Sequence, residues 1–325
     1  MTTTASTRET YGQTLLEIGR EDPDVVVLGG DLNKSTFIHL FAQEFPDRFF
    51  DFGPAEQNMM SIAAGLASSG KKPFVSTFAV FGSGRPYDQI RVGISQPKLN
   101  VKIVVTHAGL APGDDGMSAQ GIEDLALMCA LPSFTVIVPA DAPEAAKAVR
   151  EAASKQGPFY IRLSRSATPI VHQGEYSFGI GKAETMRTGA DATIVACGIM
   201  VKPAMDAAII LEKEGIGCRV LNMATLQPVD SDAITTCAQE TGAIVTAEEH
   251  LRHGGLGSIV AQVLGERLPV PMKMVALSGY AESGPPNLLL DKYGLTPQKL
   301  VEAVRSTINR KPNPSGSNRA TTQMR

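Results

Sequence analysis

The sequence predicts an α/β protein of two consecutive domains, each a parallel sheet covered by helices. Three observations carry this reading. Short Val/Ile-rich runs alternate with helical periodicity along nearly the whole chain, as in strands buried on both faces. The rhythm stops once, from Ser164 to Arg187, and then resumes. Finally, 325 residues are long for one compact domain and suit two. The division is a first domain at 1–170, a linker at 171–190, a second domain at 191–310 and a disordered polar tail at 311–325.

The first domain's strands are expected at Val25–Leu28, Phe49–Phe52, Pro73–Ser76, Lys102–Thr106, Thr135–Val138 and Phe159–Leu163, where apolar runs are short and bounded by turn residues. Helical spacing marks Arg8–Glu21, Met59–Ser69, Asp88–Ile94 and Ala142–Lys155. In the linker, SRSATPIVHQGEYSFGIGKAETMR has turn residues and no period. The second rhythm has strands at Ala192–Cys197, Cys218–Asn222, Ala243–Thr246 and Met272–Val275. Its helices are Pro203–Glu214, Ser231–Thr236, Ser258–Leu264 and Pro297–Thr307.

Charge and composition exclude several classes. Thirty Lys and Arg against 33 Asp and Glu leave a formal charge of −3, without the basic surface that a nucleic-acid binder needs. Nothing in this balance favours a membrane surface, and no apolar run approaches the roughly 20 residues of a membrane span. The opening MTTTASTRETYGQ has no hydrophobic signal core, so a cytoplasmic protein is expected. Cys129, Cys197, Cys218 and Cys237 fit neither a zinc pattern nor a disulfide framework, and read as small buried thiols.

Three motifs fail on inspection. GLASSGKK (Gly65–Lys72) lacks the Ser or Thr that a P-loop places after its lysine, and it leaves a helix instead of entering one; it reads as a helix end and two solvated lysines. His250 and His253 beside Glu248 and Glu249 have a metal-like spacing, but the glycines that follow favour a loop. GGLGS (Gly254–Ser258) reads as a turn and helix start.

The strongest chemical feature is DFGPAEQNMMSIAAGLASSG. A strand ends in a Gly-Pro turn, and Glu56 opens a helix rich in apolar residues, among them Met59, Met60, Ile62 and Ala63. An acid at a helix start commonly complements the helix dipole. In so apolar a setting it also faces a dry site, where a carboxyl is drawn towards its protonated form and can exchange a proton with a ring nitrogen.

GPAEQNM, then STFAVFGSGRPYDQIR, then VVTHAGLAPGDDGMSAQ resemble, in order and spacing, the pyrimidine-binding domain of transketolases and deoxyxylulose-phosphate synthase. VTAEEH, GGLGS and SGYAESGPPNLLLDKYGLT resemble the transketolase C-terminal domain; the likeness spans about residues 5–308. It implies thiamine diphosphate chemistry. The family's GDG…N magnesium motif is not found; Gly113-Asp114-Asp115-Gly116 is a different loop. The chain therefore resembles the C-terminal subunit of a split transketolase. A separate N-terminal subunit would carry the diphosphate half and the Mg2+ (or Ca2+) ligands, in an α2β2 heterotetramer.

The resemblance implies roles residue by residue. Glu56 matches the glutamate that bonds N1′ of the aminopyrimidine. Phe78 and Phe81 match its aromatic wall, where a third aromatic of transketolases is replaced by Gly84. Asp31 matches a residue beside the cofactor pocket. His107, counted with Glu56 as catalytic, and Asp115 match residues that touch the sugar. Arg8, Ser35 and Arg165 match positions that hold the sugar phosphate, a sensible set since guanidinium forks and a hydroxyl suit a dianion. Ala119 stands where the family usually has histidine, which leaves the donor ketose open. The implied reaction passes a two-carbon ketol unit from a ketose to an aldose phosphate. Alternatives are a deoxyxylulose-phosphate-synthase-like enzyme, encouraged by Tyr87–Ile90 (YDQI), a 2-oxoacid dehydrogenase beta subunit, and a scaffold subunit that keeps only the fold.

Overall fold

A computed structural model describes residues 3–174 and 176–312. In chain order its strands are β1 (Thr4–Ala5), β2 (Val25–Gly29), β3 (Phe49–Asp51), β4 (Lys72–Ser76), β5 (Lys102–Val105), β6 (Thr135–Ile137) and β7 (Phe159–Arg162). They continue as β8 (Thr168–Pro169), β9 (Glu184–Arg187), β10 (Ala192–Ala196), β11 (Cys218–Asn222), β12 (Thr225–Gln227), β13 (Ile244–Leu251) and β14 (Met272–Leu277).

The first sheet has the order β12-β6-β7-β5-β4-β2-β3 and is parallel except for β12. Its central strands are buried along their whole length, including Lys102 at the start of β5 and Arg162 at the end of β7. The helix Thr7–Glu21 opens on Ser6, whose hydroxyl accepts the Glu9 N–H, and buries Tyr11, Leu15 and Ile18. The helix Glu56–Ser68 buries Met59, Met60 and Ala63. The helix expected over Asp88–Ile94 is present as Tyr87–Gln89, which widens into a π-helical turn at Ile90–Ser95.

The second sheet has the order β14-β13-β10-β11-β9, parallel apart from the edge strand β9. Two features differ from the sequence reading. The stretch 171–190, expected as linker, holds β9, and just before it β8 pairs with β1. As an edge strand β9 needs no apolar run. In addition β12, from a stretch given to the second domain, completes the first sheet beside β6. The side-chain amide of Gln227 fixes it there, donating to Leu131 O at 2.8 Å and Phe134 O at 2.7 Å. The two domains are thus interleaved. Of the tail expected at 311–325, residues 313–325 lie outside the described residues.

No helix of the described residues is long and apolar enough to cross a membrane. The failed motifs behave as ordinary structure. Lys71 and Lys72 pair with Asp24 and Asp22. The Glu248 carboxylate accepts the N–H groups of Leu256 and Gly257 at the start of helix Leu256–Arg267. Three of the four cysteine thiols are buried and the fourth, Cys129, is half-buried; all four are unpaired.

Candidate active site

Because β2, β3, β4, β5 and β7 are parallel, whatever follows their carboxyl ends gathers on one edge of the sheet. Asp31 and Ser35 follow β2, Glu56 follows β3, and Phe78 and Phe81 follow β4. His107 and Asp115 follow β5, and Arg165 follows β7. Arg8 joins them from the first turn of the helix that runs back along the sheet into β2.

Five side chains form a continuous wall. Glu56 is 4% exposed, and its Oε1 accepts from Nη1 of Arg85 at 2.9 Å. The Arg85 guanidinium lies 4.1 Å from the centroid of the Phe81 ring, a cation–π distance. Phe81 stacks with Phe78 at 5.9 Å and 15°, and Phe78 with the His107 imidazole at 3.7 Å and 17°. His107 is fixed by a left-handed backbone, φ +58°, and by Nδ1 against Thr106 Oγ1 at 2.8 Å. Burial, then the nearby positive charges of Arg8 and Arg165, pull its pKa down to about 3. The imidazole is therefore neutral at physiological pH.

Beside this wall the two arginines meet. Arg8 Nε donates to Arg165 O at 3.1 Å and Nη1 to Ser35 O at 2.8 Å, so Ser35 offers its carbonyl to Arg8 and keeps its hydroxyl for other partners. Arg165 in turn donates to Pro112 O. Burial, then the like charge of Arg165, lowers the Arg8 pKa from its ordinary value. Two half-buried cations with spare N–H donors form an anion-binding arrangement.

Asp31 and Asp115 stand apart from these groups. Asp31 is exposed, at φ +64°, with its backbone N–H on Asp51 Oδ1 at 3.0 Å. It borders a cleft of about 470 Å³ that Ser35, Asn33 and His39 also line. Asp115 is exposed on the turn Gly113–Asp115. Among the described residues neither carboxylate bonds another candidate. Ala119 is buried beside Gln120, whose Oε1 is buried without a hydrogen-bond partner.

Sequence reasoning missed two residues at this edge. Arg85 stands inside the STFAVFGSGRPYDQIR motif with no role assigned to it; only the fold brings it to Glu56. Glu249 looked like half of a metal motif. Its Oε1 accepts from Leu110 N at 2.6 Å and Ala111 N at 3.1 Å, joining the second domain to the loop that carries Asp115. The carboxyl lies where a Cβ on Gly109 would be, and burial pushes its pKa up to about 7. Among the described residues no group of three or more His, Cys, Asp and Glu side chains is arranged to hold a metal ion.

This edge is the crevice beyond the strand ends where open α/β sheets bind ligands, and the chain is an α/β protein of that class. Its first part, residues 3–171, matches the model of the transketolase pyrimidine-binding domain, and residues 181–300 match that of the transketolase C-terminal domain. The chain belongs to the transketolase family. It is 41% identical to a putative transketolase C-terminal section of Methanocaldococcus jannaschii, over 91% of this chain and 94% of that protein. It is 39% identical to a 6-deoxy-6-sulfo-D-fructose transketolase subunit of a Clostridium species, over 94% and 95%. A split-gene transketolase solved as an inactive β4 tetramer superposes with TM-score 0.89 at 50% identity, covering 94% of this chain and 99% of that one.

Proposed function

We propose that the chain is the pyrimidine-binding subunit of a thiamine diphosphate-dependent split transketolase. It works with a separate subunit that carries the diphosphate-binding domain and the Mg2+ or Ca2+ ligands, in an α2β2 assembly in the cytoplasm. The reaction moves a two-carbon ketol unit from a ketose to an aldose phosphate. One observation carries the reading: a buried carboxyl, an aromatic wall and paired guanidinium groups open on one sheet edge.

The residues fit the cofactor. An aminopyrimidine needs an acid at one ring nitrogen and aromatic surface against its face. Glu56 has one carboxyl oxygen on Arg85, and the Phe81 ring is partly open. When bound, the cofactor supplies a stabilised carbanion at its thiazolium carbon. Glu56 would hold and exchange the proton at N1′ and Phe78 and Phe81 would pack the ring, with Asp31 on the same sheet edge but bordering a separate cleft. His107, neutral and held at Nδ1, offers its other ring nitrogen to a sugar oxygen, and Asp115 takes a hydroxyl. Arg8, Ser35 and Arg165 grip the phosphate. Ala119 leaves the donor ketose open; relatives of similar identity include subunits named for 6-deoxy-6-sulfo-D-fructose and apulose-4-phosphate as well as a plain transketolase.

Calorimetry with thiamine diphosphate and Mg2+ tests this. The chain alone should bind no cofactor tightly, and the complex co-purified with its partner should bind it and cleave a ketose. Tight binding by the chain alone overturns the split arrangement. A complex that binds the cofactor yet cleaves no ketose overturns the transketolase assignment.

A further inference from the structure

We infer that Arg85 is a displaceable stand-in for the cofactor's aminopyrimidine: it holds Glu56 and covers the Phe81 face, and leaves both when the ring enters. The inference rests on the cofactor assignment made above.

The guanidinium shares the ring's recognition features. It is flat and delocalised, it donates N–H, and it lies over an aromatic face. In the structure it satisfies both demands at once, 2.9 Å from Glu56 Oε1 and 4.1 Å from the Phe81 centroid. A ring that packs on the Phe81 face Arg85 covers and bonds the Glu56 oxygen it holds must displace the guanidinium.

The geometry also lets Arg85 leave. Its side chain is 52% exposed whereas that of Glu56 is 5% exposed, so the cation has water to retreat into and the acid has none. Gln57 Nε2 donates to Arg85 O at 3.2 Å, which holds the backbone while the long side chain swings. Gly84, next to it, places no side chain in the way.

A stand-in and a cofactor contact differ in sign. Removing a contact weakens cofactor binding, whereas removing a competitor tightens it. A charge pair open to solvent on one side contributes little free energy, so the gain is about two- to fivefold in affinity. The test is calorimetric titration of the full complex with thiamine diphosphate and Mg2+, comparing wild type with Arg85→Met, Arg85→Lys, Glu56→Gln and the Glu56→Gln/Arg85→Met double variant.

Arg85→Met should bind about two- to fivefold tighter. Arg85→Lys, which keeps the charge but loses the flat face, should fall between it and wild type. The gain from Arg85→Met should shrink in the Glu56→Gln background, and the melting temperature of the cofactor-free Arg85→Met complex should fall. If Arg85→Met fails to assemble, tighter binding by Arg85→Lys carries the same meaning. Equal or weaker binding in both Arg85 variants refutes the stand-in while leaving the cofactor assignment intact. A wild-type complex that binds no thiamine diphosphate removes that assignment and this inference with it.

Discussion

Glu249→Ala should destabilise the protein by an amount that shrinks as pH rises. In the folded chain Glu249 accepts two N–H groups, those of Leu110 and Ala111, which are 0% and 3% exposed. Truncation leaves two buried donors without an acceptor, at about 1–3 kcal/mol each, so about 2–6 kcal/mol together. Against this stands the cost of the buried charge. Burial moves the carboxyl from 4.5 to about 7, which at about 1.4 kcal/mol per pH unit penalises the ionised form by about 3 kcal/mol. A raised folded-state pKa means that the group's contribution is full below 4.5 and is lost as pH rises through about 7. The variant should therefore be about 2–6 kcal/mol less stable at pH 5, with the gap narrowing by up to about 3 kcal/mol at pH 8. Urea unfolding of both proteins at the two pH values measures it. Glu248 rises to about 7 as well but is common to both proteins, so their difference isolates Glu249. A gap that stays constant or widens between pH 5 and 8 would refute the reasoning.

Glu56→Gln should leave the complex assembled but abolish turnover, because an amide cannot cycle a proton with N1′. Proton exchange at the thiazolium carbon, followed by NMR, should slow by orders of magnitude, and unchanged exchange returns Glu56 to a helix-dipole role. Arg165→Ala removes one charged partner of the proposed phosphate site, about 1.5–3 kcal/mol or roughly 10- to 150-fold. Its Michaelis constant should rise by that factor for a phosphorylated acceptor and little for the unphosphorylated analogue; equal losses on both would mark Arg165 as structural. Lys102 is fully buried, its ammonium donating to Lys155 O and Gly157 O, and burial, then Lys72, pulls its pKa down to about 7. The unfolded chain holds that proton up to 10.5, so wild-type stability should rise relative to Lys102→Met between pH 7 and 10; parallel urea midpoints would contradict it.

The sequence by itself determined the two α/β domains and most of their strands, because a strand buried on both faces is mostly apolar, and such runs are short and visible. It also proposed Glu56, the two phenylalanines, His107, Arg8 and Arg165 as site residues, since a motif that keeps its residues in order along the chain can be matched without coordinates. Strands β9 and β12 were not legible. β9 (ETMR) lies at a sheet edge and needs no apolar run, and the three residues of β12 are held by the reach of Gln227 to Leu131 and Phe134. Only the tertiary structure decided what each candidate touches. Arg85 is 29 residues from Glu56, and Glu249 is 139 from Leu110. No local pattern encodes those distances. Parallel strands bring the residues together by delivering every carboxyl end to the same edge, and there burial and charge set what each group can do.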